Sequence, residues 1–123
     1  MSFDWAELLA VAEVLSLADF GVSREACLRS AVGRSYYAAF GSARHRARER
    51  RVQTRQSAAE HGEIAVIFAQ QYGEAGTEIA RLLSRLRANR NLADYEDHCE
   101  DSEKLTSESL LYARRVLTLL ATL

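Results

Sequence analysis

The sequence predicts an all-α protein, folded as an up-and-down bundle of four to five helices. The chain of 123 residues contains no proline and only six glycines, a composition that favours long helices over sheets with tight turns. Apolar residues recur at three- and four-residue spacing, the period of a helix with one buried face. Short connecting segments favour antiparallel neighbours. Because the length is near the most common domain size, we assign residues 1–123 to one domain.

The first two helices have recognisable start signals. Asp4 with Glu7 has the pattern of a capping box and opens a first helix that stops near Gly21. Ser23 caps a long second helix over residues 24–50. This helix is rich in small residues, which allow a neighbouring helix to approach closely. They are Ala31, Gly33, Ser35, Ala38, Ala39, Gly41 and Ala43.

Polar segments divide the rest of the chain into three further helices. Residues 52–60 are polar and lack periodicity, so they predict a connector, and Ser57 with Glu60 gives a second capping box before the third helix. The third helix ends at Gly73, the segment GEAG forms a turn, and Thr77 opens the fourth helix. The fifth helix begins at one of three polar residues, Ser102, Thr106 or Ser107.

The composition argues against membrane, secreted and metal-binding classes. The apolar runs are far shorter than the roughly 20 residues of a membrane span, and the N-terminal segment lacks the pattern of a signal peptide. We therefore expect a soluble, cytoplasmic protein. Cys27 and Cys99 fit no zinc spacing and are expected to be free thiols. Neither a metal nor a cofactor is predicted.

An arginine continues the apolar face of the fourth helix. The stripe comprises Ile79, Leu82, Leu83, Leu86, Arg90, Ala93 and Asp97. Because a charge buried without a partner is costly, Arg90 needs Asp94 or Asp97 as a structural partner, or a polar pocket or interface. A guanidinium also offers a planar fork of donors that suits phosphate. Two interpretations remain open, an intrahelical Arg90–Asp94 pair and an anion site.

The formal net charge of −1 conceals an uneven distribution. Residues 43–55 contain six arginines and one glutamate, whereas residues 94–103 contain six acidic residues and no basic one. The arginine run, with Arg44 and Arg48 as candidate contacts, would bind phosphates by releasing counterions. Its arginines point around the whole helix, so a solvated end, or a dock for the acidic segment of this or another chain, is an equal alternative.

Three segments carry a resemblance to a known family. AVGRSYYAAFGSARHRARER, EHGEIAVIF and RLRANRNLADYED resemble, in this order, the HEPN superfamily, and in particular small bacterial members in which a SYYAAF core precedes an R-x-x-ADY segment. The resemblance implies a bundle of four or five helices that forms a homodimer or a complex with a small nucleotidyltransferase. It also implies a role in a toxin–antitoxin or other defence module and, as in many members, metal-independent RNA cleavage.

The catalytic motif of that superfamily is only partly present. It consists of an arginine followed four to six residues later by a histidine, often with a polar residue directly after the arginine. Arg90 and Asn91 match its first part, but Tyr95 stands at the first histidine position, and His98 lies beyond the usual spacing. Metal-free cleavage needs a group that titrates near pH 7, whereas a phenol with an ordinary pKa of about 10 is a poor base.

Arg90, Tyr95 and His98 are therefore the catalytic candidates, and the sequence leaves open whether the chain is an enzyme. On a straight helix Tyr95 should point away from Arg90, so a break near residues 92–94 would be needed to join them. His61 resembles a position that related proteins occupy with histidine, with helix capping or a core hydrogen bond as the alternative. His45 is expected only to supplement the basic helix end.

The function expected from these observations is that of a bacterial HEPN component that engages RNA or a nucleotide. Arg90, Asn91, Arg44 and Arg48 are its candidate phosphate contacts. A metal-independent ribonuclease is one form of this function, and a homodimer through helices two and four is the expected assembly. The alternative is a non-catalytic interaction protein that binds a nucleotidyltransferase or a larger effector and uses Arg90 for structure alone.

Overall fold

The fold is a bundle of five helices. A computed structural model describes residues 2–17, 19, 21–50, 52, 54 and 57–123. The helices are α1 (Glu7–Leu17), α2 (Arg24–Glu49), α3 (Glu60–Gln71), α4 (Gly73–Tyr95) and α5 (Ser102–Leu120). These residues contain no β-strand, so the predicted all-α bundle is confirmed. Within the same ranges, no helix combines the length and the apolar character that crossing a membrane requires.

Helix α2 lies at the centre of the bundle and packs against all four other helices. Its small residues permit this, since Ala31, Gly33 and Ala38 are buried along it. At Gly41 an added Cβ would overlap the indole ring of Trp5, so this glycine lets the N-terminal segment lie directly on α2. The predicted role of the small residues is therefore confirmed.

The main hydrophobic core lies between α2, α3, α4 and α5. Ile79, Leu82, Leu83 and Leu86 are buried in it, as the stripe on the fourth helix predicts. The aromatic rings of α2 contribute Tyr36 and Phe40, and α5 contributes Val116 and other apolar residues. The apolar stripe of α4 therefore belongs to the core as far as Leu86, one turn before Arg90.

The N-termini of the first two helices follow the predicted signals to different degrees. The Ser23 side chain accepts a hydrogen bond from the Ala26 N–H, which confirms the predicted cap of α2. Asp4 accepts from the Ala6 N–H, and its carbonyl accepts from the Glu7 N–H, so α1 begins at Glu7 without the predicted reciprocal box. Helix α1 ends at Leu17, ahead of the predicted stop near Gly21.

Three predicted boundaries are wrong. Ser57 and Glu60 form no capping box, because the N-cap of α3 is Ala59 and carries no side-chain cap, while the Glu60 carboxylate turns inward. The segment GEAG is the first turn of α4 instead of a loop, so α4 begins before Thr77. Asp101 caps α5 by accepting from the Lys104 N–H. The predicted connector lies partly outside the described residues, at positions 53, 55 and 56.

Candidate functional site

Arg90 lies at the seam between α4 and α2. Its side chain is only 19% exposed. The guanidinium carbon is 5.6 Å from the ring centre of Tyr37 on α2 and 5.5 Å from that of Tyr95 on α4. A cation over an aromatic face is attracted by the electrons of the ring. Two tyrosines from two helices therefore hold the positive charge partly inside the bundle.

The acidic partner of Arg90 is Asp94. The Arg90 Nε atom lies 2.9 Å from Oδ2 of Asp94, but its N–H is not aimed at that oxygen, so the contact is an ion pair without a directed hydrogen bond. Nη1 of Arg90 donates to Oδ1 of Asn91 at 3.2 Å. Among the described residues, Asn91 is the only directed acceptor for this guanidinium. The Nε atom is buried, so the N–H groups that can reach another acceptor are those of Nη1 and Nη2 that Asn91 does not use.

Asp97 does not share this role, although the sequence allowed it. Its side chain is exposed, and its carbonyl accepts from Arg29 of α2. The same guanidinium donates to the carbonyls of Ala93 and Glu96, which lie at the C-terminal end of α4. Arginine satisfies the unpaired carbonyls at a helix end and complements its partial negative charge. Arg29 therefore positions the segment that carries Asp94 and Tyr95, a role that the sequence pattern did not reveal.

Tyr95 and His98 occupy different surroundings. Tyr95 is the last residue of α4 and is 70% exposed. Helix α4 is continuous through Tyr95, so the predicted need for a break near residues 92–94 is wrong, because the long arginine side chain reaches the ring five residues later. His98 is exposed on the segment after α4 and, within the described residues, contacts neither Arg90 nor Tyr95.

His61 is the imidazole that the fold brings toward Arg90. It lies in the first turn of α3, and its ring stacks on Phe40 of α2 with 4.4 Å between ring centres. Nδ1 shares a hydrogen bond with the Tyr36 hydroxyl. Burial lowers the pKa of His61, and the nearby positive charges of Arg87 and Arg90 lower it further. His61 is therefore neutral at pH 7.

The proton of Tyr36 determines which nitrogen of His61 is protonated. Tyr36 is fully buried, and burial raises its pKa well above the ordinary value, so the hydroxyl keeps its proton. A buried hydroxyl needs an acceptor, and His61 Nδ1 is the only one within the described residues. We therefore assign the imidazole proton to Nε2. In this form His61 offers one donor to a ligand.

Arg44 and Arg48 share one carboxylate inside the chain. Arg44 lies 3.4 Å and Arg48 lies 2.9 Å from the buried carboxylate of Glu60. Burial alone would raise the pKa of Glu60, but the hydrogen bond from Thr54 and the charges of Arg48 and Arg44 outweigh it and lower the pKa. The Arg44 guanidinium also covers the Trp5 ring at 4.9 Å from its centre. The main role of both arginines is therefore structural, as partners of Glu60.

The rest of the arginine run is also used by the fold. Nη1 of Arg46 donates to the carbonyls of Leu120 and Leu123, and Arg50 covers the ring of Tyr72. Arg51 and Arg55 lie outside the described residues. The acidic segment pairs with the other end of α2, where Arg24 lies 3.1 Å from Glu103. Among the residues that the structure describes, the acidic segment therefore does not dock on the arginine run.

A compact basic surface remains around Tyr37, and we call it the Tyr37 surface. It comprises Arg34, Tyr37, His61, Arg87 and Arg90. The guanidinium carbon of Arg34 lies 5.6 Å from the Tyr37 ring centre, and Arg87 is close enough to His61 to lower its pKa. Three cations from α2 and α4 thus surround one tyrosine and one neutral histidine. Such a surface attracts phosphate.

No candidate metal centre accompanies this surface. Across the described residues, no three or more histidine, cysteine, aspartate or glutamate side chains are grouped so that they could hold a metal ion. Cys27 and Cys99 are free thiols, as predicted. Comparisons of the chain with protein-family models, curated proteins and solved structures find no match. The resemblance to the HEPN superfamily therefore stays a prediction.

Proposed function

We propose that this chain is a HEPN-type component of a bacterial toxin–antitoxin or defence module and that it engages RNA by holding a phosphate on Arg90. The observation that carries the proposal is the guanidinium at the α2–α4 seam, which has one directed acceptor in Asn91 and an ion pair with Asp94. An arginine used only for structure usually spends its donors on fixed acceptors. Here several N–H groups remain for a phosphate.

The other groups of the Tyr37 surface support the same ligand. Arg87 and Arg34 add positive charge beside Arg90, and the Nε2 proton of His61 supplies a neutral donor. Arginine binds phosphate through paired, charge-assisted hydrogen bonds, which are stronger than neutral ones. Arg44 and Arg48 contribute less in this proposal than the sequence suggested, because both are engaged by Glu60.

Ribonuclease activity is the catalytic form of this proposal. Cleavage without a metal needs one group to take the proton of the 2′-hydroxyl and another to protonate the leaving oxygen. Tyr95, beside Arg90, is suited to donate a proton, and Arg90 would stabilise the charge that develops on the phosphate. In the tautomer assigned above, Nδ1 of His61 accepts from Tyr36 and Nε2 carries the proton, so His61 would donate to the phosphate and His98 remains the candidate base.

Binding and cleavage of RNA in the presence of EDTA test the proposal. We expect Arg90→Ala to weaken binding strongly, and Arg90→Lys to weaken it less, because an ammonium keeps the charge but lacks the planar fork. Arg81→Ala is the matched control, since Arg81 lies on α4 and pairs only with Glu78; it should bind as the wild type does. Wild-type affinity in a folded Arg90→Ala variant would refute the proposal.

A specific observation favours the interaction protein as a second candidate. Leu92 and Tyr95 are exposed at the C-terminal end of α4, where they line a shallow pocket with Asn91 and Glu96. Exposed apolar side chains that lie together are typical of protein contacts. Gel filtration of the wild type and Leu92→Asp with a small nucleotidyltransferase tests this surface, and only the wild type should form a complex. Gel filtration of the chain alone tests the proposed homodimer.

A further inference from the structure

A second feature lies beside the Tyr37 surface, an open pocket between α2 and the start of α3. Its volume is about 420 Å³, within the range of roughly 300–1,000 Å³ that small-molecule sites occupy. The lining includes Tyr37, Arg48, Ala58, Glu60 and His61. A simple anion would leave most of this volume empty, so the pocket fits a larger ligand.

The aromatic walls of the pocket form a corner. The rings of Tyr37 and His61 stand at 72° to each other with 6.4 Å between their centres. His61 is already stacked on Phe40, whose ring is nearly parallel to it. A flat ring placed on His61 would continue this stack and meet Tyr37 at its edge. Stacked and edge-to-face contacts are the two arrangements that aromatic rings prefer.

The polar groups of the pocket are arranged for a ligand with both donors and acceptors. Glu60 offers carboxylate oxygens, and Arg48, about 40% exposed, offers guanidinium N–H groups. Arg44 also lines the pocket, so two guanidiniums share one carboxylate, and the lining carries one net positive charge as well as donors and acceptors. A nucleobase carries both kinds of hydrogen-bonding groups on its edge and a flat aromatic face, so it uses the aromatic corner as well as the polar groups, which a phosphate does not.

Tyr37 connects the pocket to the proposed phosphate anchor. Its ring centre lies 5.6 Å from the Arg90 guanidinium carbon and 6.4 Å from the His61 ring centre. We infer that the pocket holds one base of a single-stranded RNA whose phosphate lies on Arg90. This inference rests on the proposed function and deepens it, since it assigns the bound RNA an unpaired nucleotide with its base turned into the protein.

The test compares two oligonucleotides of equal length and charge by fluorescence anisotropy. Both carry 2′-O-methyl groups, which block cleavage, and one of them lacks its central bases. We expect the wild type to bind the complete strand on the order of tenfold more tightly, as base stacking on aromatic side chains provides. Equal affinity for the two strands, with both still dependent on Arg90, would overturn the pocket and leave the proposed function standing.

Two variants locate the base preference in the pocket. Ala58→Leu narrows the pocket from an exposed position without adding an aromatic face, and Tyr37→Leu removes one wall; both should lose the preference, while Tyr37→Phe should keep it. Thermal melting verifies that each variant is folded, and Ala58→Leu decides the question if Tyr37→Leu is unstable. A preference that survives Ala58→Leu overturns the assignment.

The same strands separate this inference from the proposed function. If Arg90→Ala weakens both strands by the same factor, the phosphate anchor and the base pocket act together as inferred. If the base preference persists in Arg90→Ala with undiminished affinity, the pocket is supported and the Arg90 anchor is contradicted. Failure of the wild type to bind either strand overturns both.

Discussion

At the scale of single residues, the chain pairs the buried Tyr36 with the half-buried His61. Burial raises the pKa of Tyr36 and lowers that of His61, so both are neutral, and one hydrogen bond joins the Tyr36 hydroxyl to Nδ1 of His61. Neutral partners avoid the cost of burying a charge next to Arg87 and Arg90. The pair therefore links the aromatic core to the Tyr37 surface.

The lowered pKa of His61 predicts how stability depends on pH. The unfolded chain binds a proton at His61 near pH 6.5, whereas the folded chain binds it only at lower pH. The contribution of His61 is therefore complete above about pH 6.5 and is lost as the pH falls from there toward the folded-state pKa. Urea unfolding at pH 7.5 and 5.5 should show this loss in the wild type and a smaller one in His61→Gln. Equal losses would contradict it.

Glu60 predicts a second residue-level effect. Glu60→Gln removes the negative charge that holds Arg44 and Arg48, and the free energy of unfolding should fall by about 1–3 kcal/mol. Glu78→Gln is the matched control, because Glu78 pairs with Arg81 on the surface and its loss should leave the urea midpoint unchanged. Similar urea midpoints for the two variants would contradict the stabilising role of Glu60.

Single residues also show how far the sequence could predict the site. The position of Arg90 on an apolar stripe and its pairing with Asp94 follow from helical spacing, which is a local property. The approach of His61 and the cap by Arg29 depend on how distant helices pack, and local spacing contains no information about that. The α4 half of the candidate site was therefore predicted from spacing, whereas His61 was a candidate only through the resemblance, and its approach to Arg90 was not predicted.

At the scale of helices, the junction of α3 and α4 explains the largest boundary error. Gly73 adopts a φ of 65°, and Tyr72 alone separates the two helices. The sequence suggested a loop because the segment GEAG begins and ends with glycine, and glycine is typical of turns. Gly76 is instead buried within α4, where an added Cβ would overlap the Phe68 carbonyl oxygen and the Tyr72 side chain. The close contact of α4 with the end of α3 requires this glycine. Helix propensity does not reveal such a contact.

The surroundings of two glycines predict opposite effects when each is replaced by alanine. Gly76→Ala should destabilise the protein by about 1–3 kcal/mol, because a methyl group overlaps backbone atoms that cannot move independently. Gly62→Ala, on the exposed face of α3 with no atom within 4 Å of an added Cβ, should stabilise it by about 0.5–1 kcal/mol. Thermal melting measures both. A loss of stability in Gly62→Ala would contradict the open space around it.

At the scale of the whole molecule, α2 separates the charges of the chain into two ends. Its N-terminal end holds the acidic segment through Arg24 and Arg29, and its C-terminal end holds Glu60 through Arg44 and Arg48. The sequence showed a basic and an acidic cluster. It did not show that each cluster pairs mainly with residues outside the other cluster. Pairing between distant charges follows from the topology of the bundle. The Tyr37 surface, between these two ends, keeps its positive charge.

The position of this surface predicts the salt dependence of RNA binding. The whole chain carries a net charge of −1, so the proposed attraction to RNA has to be local, and we assign it to Arg34, Arg87 and Arg90. Three phosphate contacts on a single strand correspond to a slope of about −2 for the logarithm of the binding constant against that of the salt concentration, and Arg90→Ala should reduce its magnitude by about 0.7. Arg24→Ala, at the acidic end of α2, should leave the slope unchanged. Equal changes in the two variants would mean that RNA senses the overall charge of the protein and not the Tyr37 surface.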